Sequence, residues 1–226
     1  MTLQTGIRDF RNMDFREVPR PSPGGFSLVE LLIVIAIMGI LTALVMPAVS
    51  SISRGYGLTT AGHAVMNNLV QARQAALTRG YPVQVRIYKL PPYSQPNTAT
   101  PETYRAMQAF IESDPIVTNG TTSVTVTPLS RPVFFNAPVE ILNDTKSSPI
   151  LGLAYESAPQ EVLPGYGKNY GYVSFRFKPS GQSDLPADAA GLTLVLGPSS
   201  NGGALPGNFR AIEIDTITGA VRDYSP

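Results

Sequence analysis

The apolar residues of this chain are unevenly placed. Leu31 to Val49 reads LLIVIAIMGILTALVMPAV, 19 residues without a charge and with Thr42 as the one clearly polar member. As a helix that run would be roughly 28 Å long at 1.5 Å per residue, close to the thickness of a bilayer core. A helix buried in a soluble protein is rarely apolar on every face, so the run predicts a membrane span. Beyond it, Ser50–Gly57 predicts a weak or broken turn. Leu58, Gly62, Val65, Leu69, Ala72 and Ala76 then recur at alternating gaps of four and three, the apolar stripe of an amphipathic helix that Arg79-Gly80 would end. From Tyr81 onward the period becomes two. Val83, Val85 and Ile87 alternate with Gln84, Arg86 and Tyr88, predicting a half-buried strand. Further strands are expected at Met107–Ile111, Ser123–Thr127, Val139–Leu142, Tyr172–Phe177, Leu192–Leu196 and Arg210–Thr216. The last is expected to turn through Thr218-Gly219 into Ala220–Tyr224. Pro91-Pro92, Pro96, Pro101 and Pro159–Asn169 read as loops. The expected class is therefore α+β: one long N-terminal helix against an antiparallel β-rich head.

Upstream of the run, Met1–Gly25 carries Arg8, Arg11, Arg16 and Arg20 against Asp9, Asp14 and Glu17, and no Lys or Arg follows until Arg54. The positive-inside tendency keeps such a leader cytoplasmic and sends the bulk of the chain across the membrane. An ordinary secretory signal is the competing reading, with Ala48 and Ser50 as a weak cleavage context. Nineteen apolar residues exceed its usual core, and Pro-Ser-Pro-Gly-Gly separates the last Arg from the run.

Composition narrows the chemistry. Charged residues are 15% of the 226, well below the usual quarter, and the net charge is +1. There is no Cys, which removes disulfides, thiol nucleophiles and zinc-thiolate sites, and the single His63 cannot build a multi-histidine cluster. No G-x-S-x-G elbow occurs, and a triad could use only His63, on the amphipathic helix. Gly165–Gly171 lacks the spacing of a phosphate loop and reads as a tyrosine-rich loop. Asp184 and Asp188, beside Pro186, lack the run of ligands that calcium requires. No catalytic residue, metal or cofactor is expected.

Glu30 breaks the apolar pattern, because a carboxylate taken toward the bilayer centre costs about 2.5–3.5 kcal/mol and asks for a positive partner. Gly24-Gly25-Phe26-Ser27-Leu28-Val29-Glu30, followed by the apolar run and Pro47, resembles the prepilin-like leader of type IV pilins and type II secretion pseudopilins. The resemblance implies that a membrane peptidase cuts between Gly25 and Phe26 and methylates the new amine on Phe26. It also implies that Glu30 acts in assembly, and that Pro47 sits where the family often has proline. The leader is long for that family. An α-amino group is protonated at neutral pH, so Glu30 of one subunit could face the amine of a neighbour, a pairing whose best-attested use is to set register. Pro47 should kink or loosen the helix by removing one hydrogen bond.

Ala72-Arg73-Gln74-Ala75-Ala76, Phe177-Lys178-Pro179-Ser180-Gly181, Ile212-Glu213-Ile214 and Thr218-Gly219-Ala220-Val221-Arg222 stand in the order of the H-type (FimT-like) minor pseudopilins. The Verru_Chthon cassette protein D pseudopilins are one candidate subgroup among them. The insertion between about Leu90 and Asn169 exceeds what that compact head needs. Because some FimT-like subunits act in DNA uptake, charge matters here. Removing the leader takes away four Arg and three acids, leaving 13 basic and 13 acidic residues with no basic run, which argues against a nucleic-acid partner.

The resemblance implies a pilin-like fold divided into a removed cytoplasmic leader (1–25), a transmembrane and assembly half of the helix (26–49), an amphipathic half (50–80) and a periplasmic head (81–226). It implies a non-enzymatic minor pseudopilin of a type II secretion-like or type IV pilus-like filament, in the bacterial inner membrane and, once assembled, in a periplasmic pseudopilus. The expected partners are the prepilin peptidase, other pilin or pseudopilin subunits, inner-membrane lipid, and exported substrate or secretion-channel components. The alternative is a membrane-anchored periplasmic binding protein that is never assembled.

Overall fold

A computed structural model describes residues 25–91, 103–118, 121–158, 162–167, 170–197 and 205–226, with the side chains of 44–54, 116–118, 121–122 and 158 left aside. The leader before Gly25, Pro92, Pro96 and Pro101 lie outside the described residues. The chain divides into two units, Met1–Met46 and Pro47–Pro226.

In the first unit, helix α1 (Leu28–Arg79) begins, and every described side chain from Gly25 to Ala43 is exposed. Phe26, Leu28, Leu31, Ile35, Ile37 and Ile40 point outward around all faces. Among the described residues no helix is long and apolar enough to cross a membrane. The described side chains stop at Ala43, partway along the apolar run.

The second unit holds the rest of α1 and the head. The expected weak turn at Ser50–Gly57 is corrected: the helix runs through it. Glycine in a helix costs only about 1 kcal/mol relative to alanine, an amount the buried Leu58 that follows can offset. The helix stops where Arg79-Gly80 predicted, with the Gly80 amide donating to the Ala76 carbonyl at 3.1 Å.

Among the described residues twelve strands follow: β1 (Val83–Leu90), β2 (Thr103–Glu112), β3 (Ile116–Thr118), β4 (Thr121–Ser123), β5 (Val126–Pro128), β6 (Val133–Phe134), β7 (Val139–Ile141), β8 (Tyr155–Ala158), β9 (Tyr170–Phe177), β10 (Gly191–Leu196), β11 (Phe209–Ile214) and β12 (Val221–Tyr224). The main sheet runs β12-β11-β10-β7-β2-β1-β9-β8, with β5 and β6 also pairing with β2. The strand pairs are antiparallel. The α+β class therefore holds. The expected Ser123–Thr127 strand is corrected to two short strands, β4 and β5. Of these, β4 closes a separate hairpin with β3, Thr118 facing Thr121. Between those two residues stands Asn119-Gly120, a hairpin signal in its own right.

Period-two alternation places Val83, Val85 and Ile87 beside Val173, Phe175 and Phe177 on the inner face, in register Val83↔Phe177 and Val85↔Phe175. These pack with Leu58, Val65, Leu69, Ala72 and Ala76 of α1 in one core. Each fully buried Leu or Val there contributes about 1.5–3 kcal/mol. Small residues let the helix sit close. At Gly62 an added Cβ would fall 2.7 Å from Cδ of Arg210.

The outer face departs from expectation. β1 is not half-buried, because Gln84 is 4% exposed, Arg86 5% and Tyr88 0%. A second cluster covers it: Tyr88, Leu90, Ala106, Phe110, Leu163, Tyr166, Tyr170 and Tyr172. Leu163 and Tyr166 come from Pro159–Asn169, read above as plain loop. In its described part Leu163 bridges to Gly167, and Tyr166 stacks on Phe134 at 5.5 Å. Within the insertion, β2 and β7 are central strands of the sheet, while Leu163 and Tyr166 join the cluster on its outer face.

Candidate functional site

The first site is the start of α1. Ser27 and Glu30 form a reciprocal cap. The Glu30 amide donates to Ser27 Oγ at 3.2 Å, while Glu30 Oε2 accepts from the Ser27 amide at 3.0 Å and from Ser27 Oγ at 3.2 Å. This is the capping-box pattern, a hydroxyl residue followed three positions on by glutamate, and it satisfies helix donors that have no partner within the helix. It also puts a carboxylate at the positive end of the helix dipole. The spacing Ser27-x-x-Glu30 carried that signal in the sequence, where Glu30 was read only as a charge seeking a cation. Within a single chain its partner is the helix start itself.

Gly25 and Phe26 precede the helix. Nothing lies within 4 Å of a Cβ built on Gly25, and Phe26 is 85% exposed. Pro47 lies within α1, whose backbone continues as helix past it, but its side chain lies outside the described residues.

The second feature is the solvent face of α1 in the head. Tyr56, Thr60, His63, Asn67, Gln71 and Gln74 are exposed, at the spacing of one helical stripe opposite the core stripe. From Gly55 to Ala72 the chain contains no Asp, Glu, Lys or Arg. An exposed helix face ordinarily carries charge. Arg73, next in line, turns into the head. Its Nε donates to the carbonyls of Gly181 at 3.3 Å and Thr218 at 3.0 Å.

That contact unites three of the motifs quoted above. Arg73 ties the Phe177–Gly181 turn to the Thr218-Gly219 turn, and Gly219, at φ +69°, sits so close that a Cβ there would overlap the Gly181 carbonyl. Asp215 shapes the same turn by accepting the amides of Thr218 at 2.9 Å and Ile217 at 3.0 Å. Its carboxyl is held below the usual value, first by the Thr218 amide, against a partial opposition from burial, and then by the Ile217 amide.

Arg210 and Asp184 are both engaged within the head. Arg210 is held bidentately by Asp223, at 3.2 and 2.6 Å, and donates to the Thr59 carbonyl. Asp184 accepts the Arg176 amide at 2.6 Å. Among the described residues no group of three His, Cys, Asp or Glu is placed to hold a metal. His63 is exposed on the helix stripe. Arg86, within the sheet, lies between the rings of Phe110 and Tyr172 at 4.4 and 4.5 Å and donates to Gln84 Oε1 at 2.8 Å. Glu112, buried at the end of β2, pairs with Arg176 at 2.5 Å.

The family model for the prokaryotic N-terminal methylation motif matches residues 20–46, the stretch that contains Gly25, Phe26 and the Ser27–Glu30 cap. No curated protein matches the chain. A solved structure, the minor pseudopilin EpsH from the type 2 secretion system of Vibrio cholerae, aligns with 75% of this chain and 97% of that one, at 10% identity and a TM-score of 0.36.

Proposed function

We propose that this chain is a minor pseudopilin: a structural subunit, not a catalyst, that joins a type II secretion-like or type IV pilus-like filament through its N-terminal helix. The observation that carries this reading is the methylation motif at residues 20–46, which begins ahead of an exposed Gly25–Phe26 bond and includes a capped Glu30. The motif implies processing by a prepilin peptidase and assembly with other pilin-like subunits. Cutting after Gly25 leaves Phe26 as a free, then methylated, amine, one residue ahead of the amide that Glu30 already accepts. A cation brought to that position by a neighbouring subunit would meet a carboxylate oriented toward the helix start and supported by the dipole.

The apolar run Leu31–Val49 holds the subunit in the inner membrane until it is incorporated, with the leader on the cytoplasmic side and the head in the periplasm. Pro47 gives the helix a point of local adjustment near the far membrane face. The head contacts partner subunits or exported cargo.

Glu30→Ala separates assembly from simple anchoring. Membrane insertion and cleavage at Gly25–Phe26 should persist, while the share of the protein recovered in sheared filaments should fall at least tenfold. Normal incorporation of the variant would remove the assembly role of Glu30, and absence of the unaltered chain from sheared filaments would leave it as an anchored periplasmic protein.

A further inference from the structure

One end of the head lies beside the point where α1 enters it. A Cβ built on Gly57 meets Cγ2 of Val139 at 3.8 Å, and the Thr59 carbonyl accepts from Arg210. Val139 pairs with Leu196 on β10, Val195 with Phe209 on β11, and Ala211 with Tyr224 on β12. The same end of four strands therefore sits next to the first turns of α1 in the head. Further along the helix, Arg73 holds the opposite end, at Gly181 and Thr218.

The two ends differ in charge. Segments 55–60, 136–139 and 205–209, at the near end, contain no Asp, Glu, Lys or Arg, and Arg210 and Asp223 beside them are paired with each other. At the far end Arg79, Lys178, Glu213 and Arg222 are exposed. Apolar side chains are also exposed at the near end: Tyr56 is 75% exposed, Tyr224 49% and Leu205 46%. Ile217 is exposed at the far end, but among those charges.

Chain position decides what meets the near end. Tyr56 stands seven residues beyond Val49, the last residue of the apolar run, on the same helix, about 10 Å at 1.5 Å per residue. The headgroup layer is about 5–7 Å deep on each side of the hydrocarbon. Cβ bonds on a helix tilt toward its N-terminus, here toward the run, and the Tyr56 ring leans back across the remaining gap. Tyrosine suits that layer, with an apolar ring and a wet hydroxyl. The first charge after the run is Arg54, and no acid occurs in 31–101, so anionic lipid meets no repulsion from this part of the chain. We propose that the near end of the head is a lipid-contact surface, on which Tyr56 and Tyr224 enter the headgroup layer and rest the head on the bilayer until the subunit is incorporated. This rests on the filament reading above and adds the lipid headgroups as a partner of the head.

The chain has no Trp, so single Trp substitutions report one position each. Full-length Tyr56→Trp, Tyr224→Trp, Ile40→Trp within the run and Ser180→Trp at the far end are placed in vesicles of phosphatidylcholine and phosphatidylglycerol, with and without lipid brominated on the upper acyl carbons. Trp keeps the interfacial character of Tyr. Brominated lipid should quench Tyr56→Trp and Tyr224→Trp about threefold or more beyond Ser180→Trp, independently of the protein-to-lipid ratio. Quenching of either no greater than that of Ser180→Trp would overturn the lipid surface. Shielding that appears only at high protein density, without quenching by bromine, would give the surface to a neighbouring subunit and overturn it equally. Ile40→Trp separates the two failures. With Ile40→Trp quenched and Tyr56→Trp not, the lipid surface alone is rejected; with Ile40→Trp unquenched, the membrane anchoring behind the filament reading is rejected as well.

Discussion

Two faces of the head handle polarity in opposite ways. On the outer face of the sheet, charged and polar side chains are buried and partnered: Arg86 between two rings and on Gln84, Glu112 on Arg176, Gln108 on the Ser130 carbonyl at 2.8 Å. On the outer face of α1 between Gly55 and Ala72, polar side chains are exposed and no charge is present. Burying charge is costly unless every member is satisfied, so the network specifies one arrangement of β1, β2 and β9. The exposed stripe carries no such network: its polar side chains face solvent, and its sequence between Gly55 and Ala72 is uncharged.

Substitutions test that contrast, beginning with the largest effect. Arg86→Leu removes the guanidinium between Phe110 and Tyr172 and leaves the Gln84 acceptor without its donor. It should cost about 3 kcal/mol in chemical denaturation of the detergent-solubilised chain. A loss below about 0.5 kcal/mol would mean that the outer layer does not depend on the buried charge. Arg73→Ala releases two turn carbonyls from the helix and should cost about 1–2 kcal/mol, with faster amide exchange at Gly181 and Gly219. Asn67→Glu, in the neutral stripe, should leave stability within about 0.5 kcal/mol while reducing recovery in filaments. If it unfolds the head, the stripe belongs to the fold after all.

The smallest effect concerns acid. The folded Asp215 carboxyl is held below its unfolded value, so its contribution is present above about pH 4 and is lost as pH falls through the folded value. Amide exchange at Thr218 and Gly219 should quicken in that range. Asp215→Asn should show the quicker exchange already at neutral pH.

Much of this was readable in the residues. The 3.6-residue stripe from Leu58 to Ala76 and the stop at Arg79-Gly80 needed only local rules, as did the β11–β12 turn at Thr218-Gly219. β1 misled because alternation records residue type and not coverage: Arg86 looks solvent-facing until Phe110 and Tyr172, distant in sequence, close on it. β8 and β6 escaped notice for the same reason, being short strands held by pairing with β9 and β2. The cap at Ser27–Glu30 was legible but was overshadowed by the membrane cost of the carboxylate. The joining of Arg73 to two glycine turns was not legible, because it spans more than a hundred residues of chain.

The central claim is that this chain is processed as a pilin-like subunit, and the mature N-terminus reports on it most directly. Mass spectrometry of protein recovered from the membrane should find a chain beginning at Phe26 with a methylated amine. A chain beginning near Ser51 would contradict the account, because ordinary secretion would then have discarded both Glu30 and the apolar helix.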